Sequence, residues 1–337
     1  MTFVYHNLKF MLLSAILIAC SPAAERIERN ERTFSRVQAA AVSHNGQYSL
    51  VSTTEEGLRL FDTQTNELLH NWQQEDEGIS QIVSAKFSPQ ADVTLAASRM
   101  TLVLWDTQSG DALGAWRNDD SFILDVAVSN QGQHIVLARN DGVVLLFEPA
   151  TGRRVEFRVH TDKVNKVDIS ANGQYVLSGG NDHQAILWQT DPVQVRHVFP
   201  LTGRVTELTL GPAGRYALVA SATQAEIRNL VTGDVQQTLD LGARQKVFTT
   251  ATFSPQAELL LTGTASRLVE VWSVASGKRL CSWRIKGRAG EHPPRAAIIG
   301  ASFINANTIV IETSAGFSEL WRLPSSCQAP RSPSSEE

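Results

Sequence analysis

VNKVDISANGQYVLSGGNDHQAILW, residues 164–188, packs three short strands and two turns into one unbroken stretch. VNKVDIS (164–170) alternates apolar and polar side chains, as a strand with one buried face does. ANGQ (171–174) is a turn in which Gly173 supplies a permissive backbone. YVLSGG (175–180) reads as the next strand, NDHQ (181–184) as a second turn and AILW (185–188) as a third strand. VQVRHVF (193–199) follows as the fourth and outermost.

The same order recurs along the chain. Seven segments end in a short apolar run, a marker residue and a polar turn: RLFDTQTNE, LVLWDTQSGD, VLLFEPATGR, AILWQTDP, AEIRNLVTGD, VEVWSVASGK and SELWRLPSS. Their markers are Phe61, Trp105, Phe147, Trp188, Arg228, Trp272 and Trp321, spaced by 44, 42, 41, 40, 44 and 49 residues. A near-fixed period in the forties is the signature of a propeller or other repeat array. KFSPQADVTLAAS, AVSNQGQHIVLA and TFSPQAELLLTG repeat the first strand, turn and second strand. Although 337 residues would allow two domains, the repeats occupy nearly everything from 26 to 323, and no Pro- or Ser/Gly-rich linker divides them. No stretch between 36 and 323 holds a helical period, so the expected class is all-β: one closed ring of seven four-stranded blades.

HTDKVNKVDISANGQYVLSGGNDHQAILW (160–188) resembles a nearly complete repeat of the WD-repeat family. The resemblance implies that His160, Ser178, Asp182 and Trp188 form the hydrogen-bonded tetrad that ties a blade together. The other repeats depart from it. The third keeps Asp141 but has Leu137 and Phe147, the sixth keeps Thr262 and Trp272 but has Ser266, and the fifth has Arg228 in place of the aromatic. The last repeat stops after its third strand, so something must supply its outer strand and cover its edge. RIERNERTF (26–34) is expected to do so, closing the propeller from the N-terminus.

Residues 1–19 contain Lys9 and FMLLSAILIA, an apolar run too short to span a bilayer and long enough for a signal-peptide core. LIAC (17–20), followed by Ser21 and Pro22, resembles the bacterial lipoprotein box. That resemblance implies cleavage before Cys20 and acylation of its sulfur and new N-terminus. Ser21, not aspartate, at the second mature position implies an outer-membrane destination, facing the periplasm. The expected organisation is a signal peptide (1–19), a lipidated Cys20 with a short tether (20–25), the propeller (26–323) and a Ser/Pro-rich tail (324–337). Without residues 1–19, 29 basic residues face 34 acidic ones, a balance that points away from nucleic acid.

With Cys20 lipidated, Cys281 and Cys327 make an even pair in an oxidising compartment. A disulfide between adjacent blades and two unpaired thiols both remain open, because the Cα separation is not readable from sequence. The eight histidines are scattered, without HExxH or Cys/His zinc spacing, and neither GxSxG nor a phosphate-cradling glycine loop is present. No metal and no cofactor is expected. His160, Asp182 and Ser178 are the residue types of a catalytic triad, but equally those of the blade tetrad.

Propeller loops alternate between two faces. On the face that collects the outer-to-inner connections, early repeats carry Glu55, Glu56, Glu75, Asp76, Glu77, Asp119 and Asp120. Late repeats carry Arg204, Arg244, Lys246, Arg267, Arg284, Lys286, Arg288 and Arg295. This reads either as a solvated rim or as a docking face whose polarity orients a protein partner. RIKGRAGEHPPRA (284–296) is the longest loop. The expected function is a non-catalytic, membrane-tethered scaffold for periplasmic or outer-membrane proteins. The alternatives are an accessory factor in outer-membrane protein assembly, by analogy of architecture only, and an enzymatic or small-ligand propeller using the central channel. The last would need clustered acids, ligands or aromatics at equivalent repeat positions, and none stands out in the sequence.

Overall fold

A computed structural model of the chain describes residues 24–72, 81–242, 245–290 and 296–328. Seven antiparallel four-stranded sheets follow one another. The first is built from Val37–Val42, Tyr48–Thr53, Gly57–Asp62 and Leu68–Trp72. The fourth is Val164–Ile169, Tyr175–Gly180, Gln184–Thr190 and Val193–Pro200. The innermost strands adjoin in sequence, and that of the seventh blade (Ile298–Asn305) returns to that of the first, closing the ring. Helix among the described residues is limited to two single 3-10 turns, Asn130–Gly132 and Ser325–Cys327.

Apolar alternation explains the burial of the strands, and a repeated aromatic contact explains how blades join. In the first six blades a residue at or beside the end of the outer strand lies ten or eleven positions after the marker of its own blade and packs on the marker of the next. Trp72 stacks on Trp105 at 4.8 Å, Trp116 meets the edge of Phe147 at 5.2 Å, Phe157 meets Trp188 at 4.3 Å and Trp283 meets Trp321 at 5.5 Å. Phe199 supplies the face on which the guanidinium of Arg228 sits at 5.1 Å, so the fifth blade substitutes a cation–π contact for an aromatic pair. Leu239 and Trp272 share one apolar cluster.

The seventh sheet has Ile298–Asn305, Thr308–Thr313 and Phe317–Arg322, with Glu25–Glu31 as its outer strand. Glu25 lies opposite Arg322 and Glu31 opposite Phe317. Just beyond, Arg32 places its guanidinium 4.2 Å from the ring centre of Phe61, the position that an aromatic fills elsewhere in the ring. The same side chain is 3.9 Å from Glu312, a fully buried carboxylate that also accepts from Ser49 Oγ of the first blade at 2.6 Å. Burial raises the pKa of Glu312, and Arg32 opposes that rise.

Candidate functional site

In the fourth blade the Asp182 carboxylate lies 2.9 Å from His160 Nδ1, and His160 Nε2 lies 2.8 Å from Ser178 Oγ. Trp188 Nε1 donates to the same hydroxyl at 3.0 Å. Asp182 also accepts from the backbone N–H of Thr161 and of Gln184, which fixes the carboxylate. Because Asp182 accepts and Ser178 already receives the indole N–H, the consistent arrangement is a neutral imidazole protonated on Nδ1. Burial lowers the pKa of His160 against the opposing pull of Asp182. The order Asp–His–Ser is that of a nucleophile relay, but Ser178 is wholly buried and its hydroxyl is committed to the indole and to His160. The geometry holds strands together and offers a substrate no approach. Ser178→Ala strands both the indole N–H and His160 Nε2, and is expected to lower stability by about 1–3 kcal/mol. Thr262→Ala, which frees only the Trp272 indole (2.9 Å), should cost less. Urea midpoints of the two variants check the order.

The last three blades carry buried ion pairs at this level, the sixth alongside its Thr262–Trp272 bond. Two residues before each of the last three markers stand Glu226, Glu270 and Glu319, all buried. Glu226 pairs with Arg228, and Glu270 pairs with Lys246 at 2.8 Å and Arg279 at 2.9 Å. Glu319 pairs with Arg29 at 3.3 Å and Arg26 at 3.4 Å, and accepts from Trp321 Nε1 at 2.9 Å.

These pairings redraw the charged face. Lys246 is held by Glu270. Arg288 pairs with Glu31, donates to the carbonyls of Thr33 (3.0 Å) and Ala315 (2.7 Å), and covers Phe317 at 4.6 Å. Arg284 donates to Ser266 O at 3.0 Å, and Arg267 to Ile285 O at 3.5 Å. Glu55 accepts from Ser35, and Glu56 from Thr33 and from Arg59 at 2.7 Å. Asp119 pairs with Arg117, and Asp120 with buried Arg139 at 3.4 Å. Arg204 and Lys286 have exposed side chains. Glu75, Asp76, Glu77, Arg244 and Arg295 lie outside the described residues, as does Cys20. Charge reversal at Lys246 or Arg288 therefore attacks blade contacts and is unsuited to testing docking.

The same face is apolar in a way charge counting overlooks. Phe34 is 84% exposed and Phe122 47%, and both precede inner strands, as does exposed Val247. Arg288 lies 5.1 Å from the ring centre of Phe34, and Arg99 lies 5.6 Å from that of Phe122. Aromatic–arginine pairs of this kind are the residue types enriched in protein interfaces.

Cys281, in the outer strand of the sixth blade, is bonded to Cys327 beyond the seventh, with S–S 2.05 Å and Cα–Cα 5.5 Å. Among the described residues no group of three His, Cys, Asp or Glu stands close enough to hold a metal ion.

The central channel holds charges that the sequence reading passed over. It encloses about 250 Å³ and is lined by the inner strands of all seven blades. An irregularity shifts the register early in five of these strands, and the residue just after it lines the channel. At this level Ser84 Oγ donates to Asp125 Oδ1 at 2.7 Å, and Lys166 Nζ is 3.2 Å from Glu207 Oε2, so polar groups run around four consecutive blades. Glu207, then Asp125, raises the pKa of Lys166 against its burial. Two residues further along are Lys86, Ala127, Asp168, Thr209 and Thr252.

Residues 153–189 match the family described as "WD domain, G-beta repeat". With the seven sheets, that match supports the WD-repeat β-propeller family, whose propellers are commonly protein-interaction scaffolds and generally non-catalytic. The chain is 28% identical over 105 residues to NET1-associated nuclear protein 1 of Saccharomyces cerevisiae, a match spanning 31% of this chain and 12% of that protein. It is 33% identical over 66 residues to cilia- and flagella-associated protein 52 of Bos taurus, spanning 19% of this chain and 11% of that one. The chain thus covers about an eighth or less of the length of these relatives.

Proposed function

We propose that this chain is a non-catalytic scaffold, lipid-anchored through Cys20 to the outer membrane, that presents the face of its outer-to-inner connections to periplasmic or outer-membrane proteins. The observation that carries the docking face is the exposure of Phe34 and Phe122, each with an arginine against its ring, among loops whose other charges, for the described residues, are mostly held by protein partners. Exposed aromatics with arginine neighbours are where binding energy concentrates when a partner desolvates them. The strand Glu25–Glu31 runs toward this face, so a tether at Cys20 enters from the opposite one. The four residues 21–24 reach at most about 14 Å. The propeller therefore stands close to the membrane with the aromatic face directed into the periplasm.

The test is crosslinking of the intact lipoprotein in cells, followed by identification of what is captured. Wild type is expected to capture a defined envelope protein, and Phe34→Ala with Phe122→Ala to lose it while keeping the wild-type unfolding midpoint. Cys20→Ala should leave the membrane fraction, since one lipid-bearing residue carries the attachment. Capture that survives the aromatic double variant but fails on changes to Gly110 or Gly233, in turns of the opposite face, inverts the assignment. Capture of barrel-assembly components specifically would identify the accessory-factor alternative.

A further inference from the structure

The channel ring at the level of Lys86 keeps opposite charges apart. Lys86 lines the cavity from the second blade and Asp168 from the fourth, with only the methyl group of Ala127 between them at that level. Among the described residues Lys86 makes neither an ion pair nor a hydrogen bond. Asp168 spends its carboxylate on the N–H groups of Ile169 (2.9 Å) and Leu210 (2.7 Å), and on Thr209 Oγ1 at 3.4 Å. Two acceptor oxygens with about four lone-pair directions retain capacity toward the cavity. His44 lines the same space. Its carbonyl is held by Ser302 Oγ at 3.0 Å, whereas its Nδ1 is buried without a partner. Burial lowers the pKa of His44; Asp168 opposes the shift and Lys86 reinforces it, so the three groups feel one another across the lumen. The hydroxyls of Thr209 and Thr252 complete the lining on the far side.

An unpaired ammonium, an unpartnered imidazole nitrogen and an offset carboxylate in one small cavity are complementary to a molecule that carries both charges. We propose that the channel binds a small zwitterion of the α-amino acid type, its carboxylate on Lys86 and His44 and its ammonium on Asp168. About 250 Å³ lies below the roughly 300–1,000 Å³ of pockets for drug-sized ligands, which restricts the occupant to a molecule of that size class. The site is separate from the aromatic face and does not rest on the docking assignment.

The experiment is titration calorimetry of the purified full chain with each standard amino acid, with acetate and methylammonium as single-charge controls. At least one amino acid is expected to bind saturably at one per chain, and neither control to compete at equal concentration. Lys86→Met should weaken binding at least about tenfold, equivalent to about 1.4 kcal/mol. Lys86→Arg should restore much of the affinity, and Asp168→Asn, which keeps an acceptor for Leu210 N–H, should weaken it similarly. Unfolding midpoints of the lysine variants should match wild type, because Lys86 supports no other described group. Absence of saturable binding across the panel overturns the proposal. So does competition by acetate as effective as that of any amino acid, which would make this a simple anion site, or binding that Lys86→Met leaves unchanged.

Discussion

Removal of residues 21–34 is expected to abolish the cooperative unfolding transition of the protein near neutral pH. The segment supplies the outer strand of the seventh sheet and three arginines that answer two buried acids. Without Arg32, Glu312 keeps only hydroxyl partners; without Arg26 and Arg29, Glu319 keeps only the Trp321 indole. Breaking one buried pair from one side costs about 3–5 kcal/mol. Two such losses, with a newly exposed strand edge, approach the whole 5–15 kcal/mol that stabilises a typical protein. The measurement is urea unfolding followed by tryptophan fluorescence. An unchanged midpoint would show that the ring holds itself closed without its first strand.

Loss of the Cys281–Cys327 bond has the second largest expected effect. The cysteines are 46 residues apart, and the chain-entropy treatment of a loop that long gives about 4 kcal/mol. At roughly 2.1 cal/mol/K per residue over about 300 ordered residues, this lowers the melting temperature by about 6 °C. Cys281→Ala with Cys327→Ala should show that fall in a thermal scan under oxidising conditions. Under dithiothreitol the wild type should approach the variant slowly, because Cys327 is fully buried. Identical melting of variant and oxidised wild type would mean that the unfolded chain is already restricted at this position.

How much of this was legible in the sequence depended on whether the informative residue lay on the face that the alternation assigned. Trp105, Trp188, Trp272 and Trp321 end apolar runs at a fixed period, so the seven sheets could be counted. The partners Trp72, Trp116, Phe157, Phe199 and Trp283 recur just as regularly after each marker, but the interblade contact they make only exists once the blades are stacked. Lys166 and Asp168 look like the solvent side of VNKVDIS. In a ring the polar side of an inner strand faces the lumen, and the irregularity at its start offsets the period of two. Glu226, Glu270 and Glu319 do not stand out in the sequence, because an ion pair needs a partner that sequence spacing does not name. Arg32, five residues before Val37, carries no periodic signal at all.

The pairing of Glu25–Glu31 with Phe317–Arg322 has a mechanical consequence. Tension applied at residue 24 acts along the axis of an antiparallel strand whose partner is held in the body of the ring. Such a load shears the ladder: its hydrogen bonds share the force and must yield together, where a pull from the side would open them one at a time. Arg26 and Arg29 add lateral ties to Glu319 along the same strand, and Arg32 sits at its inner end as a stop. A force-extension measurement pulling from the N-terminus should therefore meet a higher rupture force than one that peels the same strand from Glu31.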